Sequence, residues 1–247
     1  MKALILAAGY GKRLRPITNE IPKCMVEVGG VPLLINALNN LVEIGISEVG
    51  IVVGHKAEYI KEKIGNSYKN TRISYFENEK FLETNNIYSL YMASEFCNDE
   101  ILLLEADLFY KKDILEQLIQ KKADCCIMTS DFNPQTMDGT AISIEENTDK
   151  ALELFLGKWQ KTDFDYTNAK KTVNIYKFSK NFVKKYICLI EWFVKNIGVN
   201  SYYETALGML VYLKEFDIKI VNVSESSWHE IDDADDLERA RNSILLH

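Results

Sequence analysis

Cysteine and histidine, which supply many metal ligands and nucleophilic sites, are scarce in this sequence. Its 247 residues include five cysteines and three histidines. The cysteine count is odd and shows no paired spacing of the metal-binding type, so we expect reduced thiols in a cytoplasmic protein. Cys24 has no triad-like partner in the sequence, and the histidines form no triad arrangement. These absences disfavour a zinc site and a thiol nucleophile.

Long apolar runs and an excess of positive charge are also missing. The N-terminal MKALILAAGYGK reaches charge too soon for a signal peptide or a membrane span. The net charge is -7, without a basic stripe or tail. We therefore expect neither a nucleic-acid nor a membrane partner. On this acidic background, the cluster of Lys12, Arg13, Arg15 and Lys23 indicates a local role for positive charge.

The first half of the chain alternates apolar runs with segments of helical period. This βαβ alternation predicts an α/β fold, with a Rossmann-like mixed, mostly parallel sheet flanked by helices. Ligands then bind beyond the carboxyl ends of the strands. We predict strands at Lys2–Ala7, Glu48–Val53, Arg72–Glu77, Ile101–Glu105 and Asp124–Thr129, and helices at Leu33–Ile44, Ala57–Ile64, Ile87–Phe96 and Asp113–Lys121.

The pattern changes after about residue 130, where shorter strands alternate with polar loops. We interpret residues 1–247 as one domain whose second half, 131–247, forms a smaller α+β portion beside residues 1–130. The predicted strands are Thr140–Ile144, Ala151–Leu156, Thr172–Phe178 and Lys219–Val223, and the predicted helices are Lys180–Val194, Tyr202–Lys214 and one beginning near Ala234.

The stretch LILAAGYGKRLRPITNEIPKCMVEV joins the first strand to a glycine loop and several cations. The P-loop pattern fails because Leu6 replaces its first glycine and Arg13 replaces its Ser or Thr. The dinucleotide pattern fails at Leu14, where its last glycine should be. What remains is a loop whose backbone amides approach phosphates, followed by cations that offset their charge. A solvated strand-to-helix turn is the alternative, but Lys23 adds a separately placed cation. The stretch therefore predicts polyphosphate binding.

These residues resemble the signature of the nucleoside-triphosphate transferases that activate sugar phosphates and small alcohol phosphates. The resemblance lies in LAAGYGKRLRPIT and PKCMVEVGGVPLL. Further along, TNNIYSLY, LLLEADLFY and WHEIDDADDLERA are similar to segments of phosphocholine cytidylyltransferases. MDGT, KTVNIYKFS and YYE are more similar to 2-aminoethylphosphonate cytidylyltransferases. The resemblance thus spans nearly the whole chain.

The resemblance implies a reaction in which an acceptor phosphate or phosphonate attacks the α-phosphorus of CTP and expels pyrophosphate. It implies that Arg13 and Lys23 are catalytic, with Lys23 between the α-phosphate and the incoming oxygen. Asn85 and Asn86 are equally compatible with capping the helix that follows. The implied nucleotide-binding residues are Ala7, Ala8, Gly9, Gly11, Lys12, Asn85 and Asn86. Arg15 is as compatible with a solvated charge in the loop as with a contact to the triphosphate.

The resemblance also implies a Mg²⁺ ion held by Asp107 and Asp232. Mg²⁺ prefers oxygen ligands and needs only one or two from the protein. Without the resemblance, ordinary structural roles would also explain both residues: Asp107 as a turn residue and Asp232 as an acid flanking a helix. The sequence departs from many relatives before Asp107, since Ala106 replaces a glycine and Glu105 precedes it without an evident role.

The acceptor is harder to predict, because any one aromatic residue is more often core than ligand cage. A primary ammonium group needs carboxylates as hydrogen-bond acceptors, whereas a quaternary one relies on ring faces. YYE and MDGT favour the primary amine. We predict acceptor contacts from Asp138, Lys171, Tyr202, Glu204 and Trp228, with Trp159, Tyr176, Trp192 and Tyr203 as further aromatic candidates.

The resulting hypothesis is a Mg²⁺-dependent cytidylyltransferase that uses CTP and a small amine-bearing phosphonate or phosphate ester, with 2-aminoethylphosphonate as the first choice. Phosphocholine is the alternative acceptor, followed by a sugar 1-phosphate. A nucleotide-sugar glycosyltransferase and a catalytically silent regulatory domain are rivals from other classes. The chain is also compatible with fusion to, or cooperation with, another enzyme of its pathway.

Overall fold

The computed structural model describes residues 1–134, 137–157, 160, 164–167 and 169–243. The strands are β1 Lys2–Ala7, β2 Glu27–Val28, β3 Val31–Pro32, β4 Glu48–Val53, β5 Ser67–Tyr68, β6 Thr71–Glu77, β7 Ile101–Glu105, β8 Leu108–Tyr110, β9 Cys125–Asp131, β10 Ala141–Ile144, β11 Ala151–Phe155, β12 Ala169–Phe178, β13 Ile218–Asn222 and β14 Trp228–Glu230. The helices are α1 Ile17–Glu20, α2 Leu33–Glu43, α3 Ala57–Ile64, α4 Asn86–Met92, α5 Lys112–Gln120, α6 Lys180–Asn196, α7 Tyr203–Leu213 and α8 Ala234–Arg241.

The main sheet joins strands from both halves of the chain. Its order is β11-β10-β12-β7-β1-β4-β6-β5, with β9 also beside β12 and β13 beside β9. Strands β7, β1, β4 and β6 run parallel, and β12 pairs antiparallel with β7. The predicted α/β class, with a mixed sheet flanked by helices, is confirmed. Helix α4 ends at Met92, before the predicted Phe96, and β12 begins at Ala169, before the predicted Thr172.

Helices cover both faces of the sheet, and the side chains of β1 show why. Successive side chains of a strand point to opposite faces. Ala3 and Ile5 pack in a core that includes residues of α2, α3 and α5. Leu4 and Leu6 pack in a second core with α4, α6 and α7. A strand buried on both faces must be apolar throughout, as KALILA nearly is. Within the described ranges, no helix is long and apolar enough to cross a membrane.

The carboxyl ends of β1 and β7 meet at one edge of the sheet. Leu6 pairs with Glu105, and the amide of Ala106 donates to the carbonyl of Leu6 at 3.1 Å. The glycine loop after β1 and Asp107 after β7 therefore open into the same space.

A small two-stranded ribbon brings the last part of the chain to this edge. Strand β14 pairs antiparallel with β8, so that Glu230 lies opposite Leu108. The amide of Ile231 donates to the carbonyl of Asp107 at 2.9 Å. Asp233 caps α8 and forms a capping box with Asp236. Because Asp233 performs the capping, the side chain of Asp232 remains available to the site.

Candidate active site

The glycine loop is shaped by one residue with left-handed backbone. Gly11 has φ of +66°, and a Cβ placed on it would lie 2.9 Å from Cβ of Lys23 and 3.0 Å from Cγ2 of Thr18. The Thr18 hydroxyl donates to the carbonyl of Gly11 at 2.7 Å and fixes the loop. Lys23 can therefore approach the loop only because residue 11 has no side chain.

We expect Gly11→Ala to lower both stability and activity, and Gly65→Ala to lower stability alone. Both glycines have positive φ, which strains most other residues. The cost is roughly 1–2 kcal/mol in the left-handed conformation of Gly11, and about 1–3 kcal/mol in the conformation of Gly65, whose ψ is -168°. Only Gly11 is crowded, since nothing lies within 4 Å of a Cβ built on Gly65. Overpacking adds about 1–3 kcal/mol and displaces Lys23. Urea unfolding and pyrophosphate release measure the two effects. Equal behaviour of the two variants in both assays contradicts a role for the contact with Lys23.

Lys23 lies between two carboxylates at the centre of the site. Its Nζ is 2.7 Å from Oδ2 of Asp107 and 2.6 Å from Oδ1 of Asp232. Arg13 contacts the other oxygen of Asp232 at 2.9 Å. Burial disfavours the charge of Lys23, but the two aspartates outweigh burial and raise the pKa of its ammonium group. Burial likewise opposes the charge of Asp232, yet Lys23 and Arg13 hold its pKa below the usual value.

Asp107 and Asp232 fit a divalent cation that takes few protein ligands. The Oδ1 atom of Asp107 is buried and has no hydrogen-bond partner among the described residues. A buried carboxylate oxygen left without a partner is costly unless a ligand satisfies it. The described part of the chain offers no cluster of three or more metal-ligating side chains. Two carboxylates suit Mg²⁺, which completes its coordination with water and phosphate oxygens.

A cavity of about 290 Å³ opens between the glycine loop and α4. Asn85 caps α4 by accepting the amide of Asn86 at 2.8 Å, and it also lines this cavity. Asn78, Phe81, Thr84 and Ser89 line it too, although the sequence analysis did not select them. All residues predicted to contact the nucleotide or the metal line this cavity: Ala7, Ala8, Gly9, Gly11, Lys12, Arg13, Lys23, Asn85, Asn86, Asp107 and Asp232.

A second cavity of about 690 Å³ adjoins the first and shares five lining residues with it: Arg13, Asn86, Glu105, Asp107 and Asp232. Of the residues predicted to contact the acceptor, this cavity contains Asp138, Lys171, Tyr202 and Glu204. Trp228 lines an adjoining cavity of about 450 Å³, which shares Arg13, Met137, Asp138, Glu230 and Asp232 with it.

The other aromatic candidates are placed differently. Tyr176 and Tyr203 are fully buried in the core, whereas Trp192 is half exposed on α6. None of these three lines the two larger cavities. Trp159 lies outside the described residues. An aromatic cage of the predicted kind is therefore not formed by Tyr176, Trp192 and Tyr203.

Glu105 and Glu230 are site residues that the sequence analysis missed. Both line the larger cavity. Lys171 contacts Glu230 at 3.1 Å, and the hydroxyl of Tyr203 donates to Glu105 at 2.7 Å. Burial raises the pKa of both carboxyl groups, and it raises the pKa of Glu204 to about 7. A sequence signal existed, since Glu105 and Glu230 each stand two residues before a predicted metal aspartate.

Cys24 and Arg15, which the sequence analysis weighed, can now be placed, as can the histidine at position 229. Burial raises the pKa of the Cys24 thiol to about 12, so this thiol is a poor nucleophile at neutral pH. Arg15 lies over the ring of Tyr10 at 4.8 Å and lines none of the three cavities described above. His229 lines the cavity beside Trp228, and burial lowers its pKa.

Comparison with known proteins finds a family model and relatives that match this chain. The family model described as "Nucleotidyl transferase" matches residues 2–159. A CMP-5'-(3-aminopropyl)phosphonate synthase from Streptomyces rubellomurinus is 29% identical over 97% of this chain. The chain spans only 38% of the length of that relative.

Two further matches extend along nearly the whole chain. A CTP:phosphoglutamine cytidylyltransferase from Campylobacter jejuni is 27% identical over 96% of this chain and 98% of its own length. Among solved structures, the CTP:phosphocholine cytidylyltransferase from Streptococcus pneumoniae superposes with a TM-score of 0.75, at 23% identity and 97% coverage of each chain. At that identity, the structural match shows a shared fold.

Proposed function

Because this chain belongs to the nucleotidyl transferase family, we propose that it is a Mg²⁺-dependent cytidylyltransferase. It transfers CMP from CTP to a small amine-bearing phosphonate or phosphate and releases pyrophosphate. The first choice of acceptor is 2-aminoethylphosphonate. The family resemblance deduced from LAAGYGKRLRPIT is thereby confirmed, while the acceptor stays a proposal.

One observation carries the proposal. Asp107 and Asp232 line both cavities and thus lie at their junction, and Lys23, which lines the smaller one, contacts both aspartates. The smaller cavity lies beside the glycine loop and suits a nucleotide. The larger one contains carboxylates and Lys171, and it suits a dipolar acceptor. A reaction between two anions needs such a junction, because positive charge must separate them while they align.

The side chains of the junction account for most of the proposed chemistry. A phosphate monoester has a second pKa near 6, so its attacking oxygen is already largely ionised and needs no general base. Lys23 leaves the aspartates to contact the α-phosphate, and the planar guanidinium of Arg13 binds phosphate oxygens in pairs. A bound Mg²⁺ ion, held by Asp107 and Asp232, would supply further neutralisation of the triphosphate.

The relatives support an acceptor that carries nitrogen. The two sequence relatives above are named for an aminopropyl phosphonate and for phosphoglutamine. In this chain, Glu204 lines the acceptor cavity, and it can accept hydrogen bonds from a primary ammonium group. The division into a nucleotide half, 1–130, and an acceptor half, 131–247, belongs to the same proposal, as do the cytoplasmic location and the cooperation with another pathway enzyme.

A matrix of nucleotides and acceptors tests the proposal. Purified protein is incubated with CTP or UTP, Mg²⁺, and 2-aminoethylphosphonate, phosphocholine or glucose 1-phosphate. Pyrophosphate release is then measured. We expect the highest kcat/KM with CTP and the primary amine. Release with phosphocholine alone would establish the alternative acceptor, and release with the sugar phosphate alone would reject the amine. Binding of CTP without any release would indicate a silent regulatory domain.

A further inference from the structure

Glu105 has no part in the scheme above, although it lines both the nucleotide cavity and the acceptor cavity. It ends β7, and its Oε1 accepts the hydroxyl of Tyr203 at 2.7 Å and Nδ2 of Asn86 at 3.3 Å. The same Asn86 nitrogen donates to Oε2 of Glu204 at 3.3 Å. One amide therefore holds two carboxyl groups side by side.

A contact between two helices fixes the positions of these two carboxyl groups. The amide of Tyr203 donates to Oδ1 of Asn86 at 3.0 Å, so that α4 and α7 are tied together. An ionised carboxyl group offers about four acceptor positions. The hydrogen bonds described above use two of these positions on Glu105 and one on Glu204, which leaves each group with further acceptor capacity.

The two cationic side chains of the cavity, Lys171 and Arg13, make their direct contacts with other groups. Lys171 contacts Glu230 at 3.1 Å and donates to the carbonyl of Thr172 at 3.0 Å. Arg13 contacts Asp232. Within the described residues no direct ion pair reaches Glu105 or Glu204, although the charge of Lys171 acts on both carboxyl groups from a greater distance. An ammonium group of a ligand would be their direct cationic partner.

An independent observation indicates a ligand in the adjoining cavity, which shares Asp138 and Glu230 with the acceptor cavity. Trp228 is 4% exposed, and its Nε1 has no hydrogen-bond partner among the described residues. Trp228 and Glu230 are two residues apart on β14 and so lie on one face of the ribbon. A buried N–H group left without a partner is costly. It calls for an acceptor atom, such as an oxygen of a phosphonate or phosphate.

These features describe a dipolar ligand, and their spacing limits its length. Glu105 and Asp107 are two residues apart, so their Cα atoms are at most about 7 Å from each other. The group that binds Glu105 is therefore close to the group that reacts beside Asp107. A short alkyl linker between amine and phosphorus meets this condition.

Building on the proposed cytidylyl transfer, we infer that Glu105 and Glu204 form an ammonium subsite that selects acceptors with a short primary amine. A primary ammonium group donates hydrogen bonds to both carboxyl groups. A quaternary ammonium group cannot donate, and a hydroxyl group of equal size brings no charge. Glu105 is thus a specificity-determining residue of the acceptor site.

The test compares three matched acceptors with CTP: 2-aminoethylphosphonate, its N-trimethyl analogue and 2-hydroxyethylphosphonate. Wild type, Glu105→Gln and Glu204→Gln are assayed by pyrophosphate release, and KM and kcat are separated. Hydrogen bonds to a charged group favour the amine by roughly tenfold or more in kcat/KM. We expect wild type to show this preference over both analogues. We expect each variant to lose about tenfold more for the amine than for the hydroxyl compound, mainly through KM.

Several outcomes would overturn the inference. Equal use of the amine and the hydroxyl compound by wild type removes the subsite and leaves cytidylyl transfer standing. An equal loss for both compounds in Glu105→Gln assigns Glu105 a structural role. If Glu105→Gln does not fold, the wild-type preference and Glu204→Gln still decide. If pyrophosphate is released only with glucose 1-phosphate, or with none of the acceptors, both the proposed function and this inference are rejected.

Discussion

Replacing Lys23 by alanine is expected to lower kcat by roughly 10² to 10³-fold, because a fixed donor to developing negative charge is lost. In the unliganded chain, Lys23 is also what neutralises Asp107, at 2.7 Å, and Asp232, at 2.6 Å. Removing it leaves two close carboxylates facing each other, with Arg13 on one of them. Mg²⁺ should therefore raise the Tm of the variant more than that of wild type.

Lys61→Ala is the matched control for this variant. Lys61 also contacts two carboxylates, Glu58 at 2.8 Å and Glu77 at 2.9 Å, but these pairs lie at the surface. An exposed ion pair contributes about 0–1 kcal/mol, so turnover should be unchanged. Single-turnover kinetics with saturating CTP separates chemistry from binding. A near-normal rate in Lys23→Ala would remove this side chain from the proposed chemistry.

Replacing Asp107 by asparagine is expected to lower turnover by about 10³-fold, which corresponds to about 4 kcal/mol of lost charge stabilisation. The substitution keeps the size of the side chain but removes the charge. It also removes the acceptor lone pairs of whichever oxygen becomes an amide. Because Asp107 has a buried oxygen without a partner among the described residues, metal affinity should fall as well. Mn²⁺ binding to the protein with CTP, measured by electron paramagnetic resonance, reports this loss directly.

Asp235→Asn provides the comparison for the loss of one carboxylate. Asp235 is exposed in the first turn of α8, close to Asp232 in sequence but outside the cavities around Lys23. It should bind Mn²⁺ as wild type does and retain its turnover. Wild-type metal affinity in Asp107→Asn would show that Asp107 is not a metal ligand. Equal losses in both variants would indicate an effect of net charge alone.

Much of the fold was predictable because its signals are local. Strands β1, β4 and β7 are short apolar runs, and their predicted bounds agree with the structure residue for residue. Helix α3 likewise begins and ends where its period predicts. The ribbon of β8 and β14 was not predicted, since three-residue strands carry almost no periodic pattern.

The residues of the site likewise fall into those that local sequence predicts and those that it does not. Gly11, Lys12 and Arg13 could be selected together because they belong to one continuous loop. The role of Glu105 could not be assigned, because it depends on Asn86 and Tyr203, which donate to it from two different helices. Asn86 also donates to Glu204. Hydrogen bonds between distant segments leave no regular spacing in a sequence.

The sequence by itself determined the glycine-cation loop, the alternation that produces an α/β sheet, and membership of a family. These follow from neighbouring residues and from backbone preferences that act over a few positions. Only the tertiary structure decided that Lys23 contacts Asp107, 84 positions away, and Asp232, 209 positions away. Those contacts depend on two strands ending at one edge of the sheet and on a ribbon that returns the chain there. These long-range contacts are set by packing of the whole core, which cannot be deduced from the order of neighbouring residues.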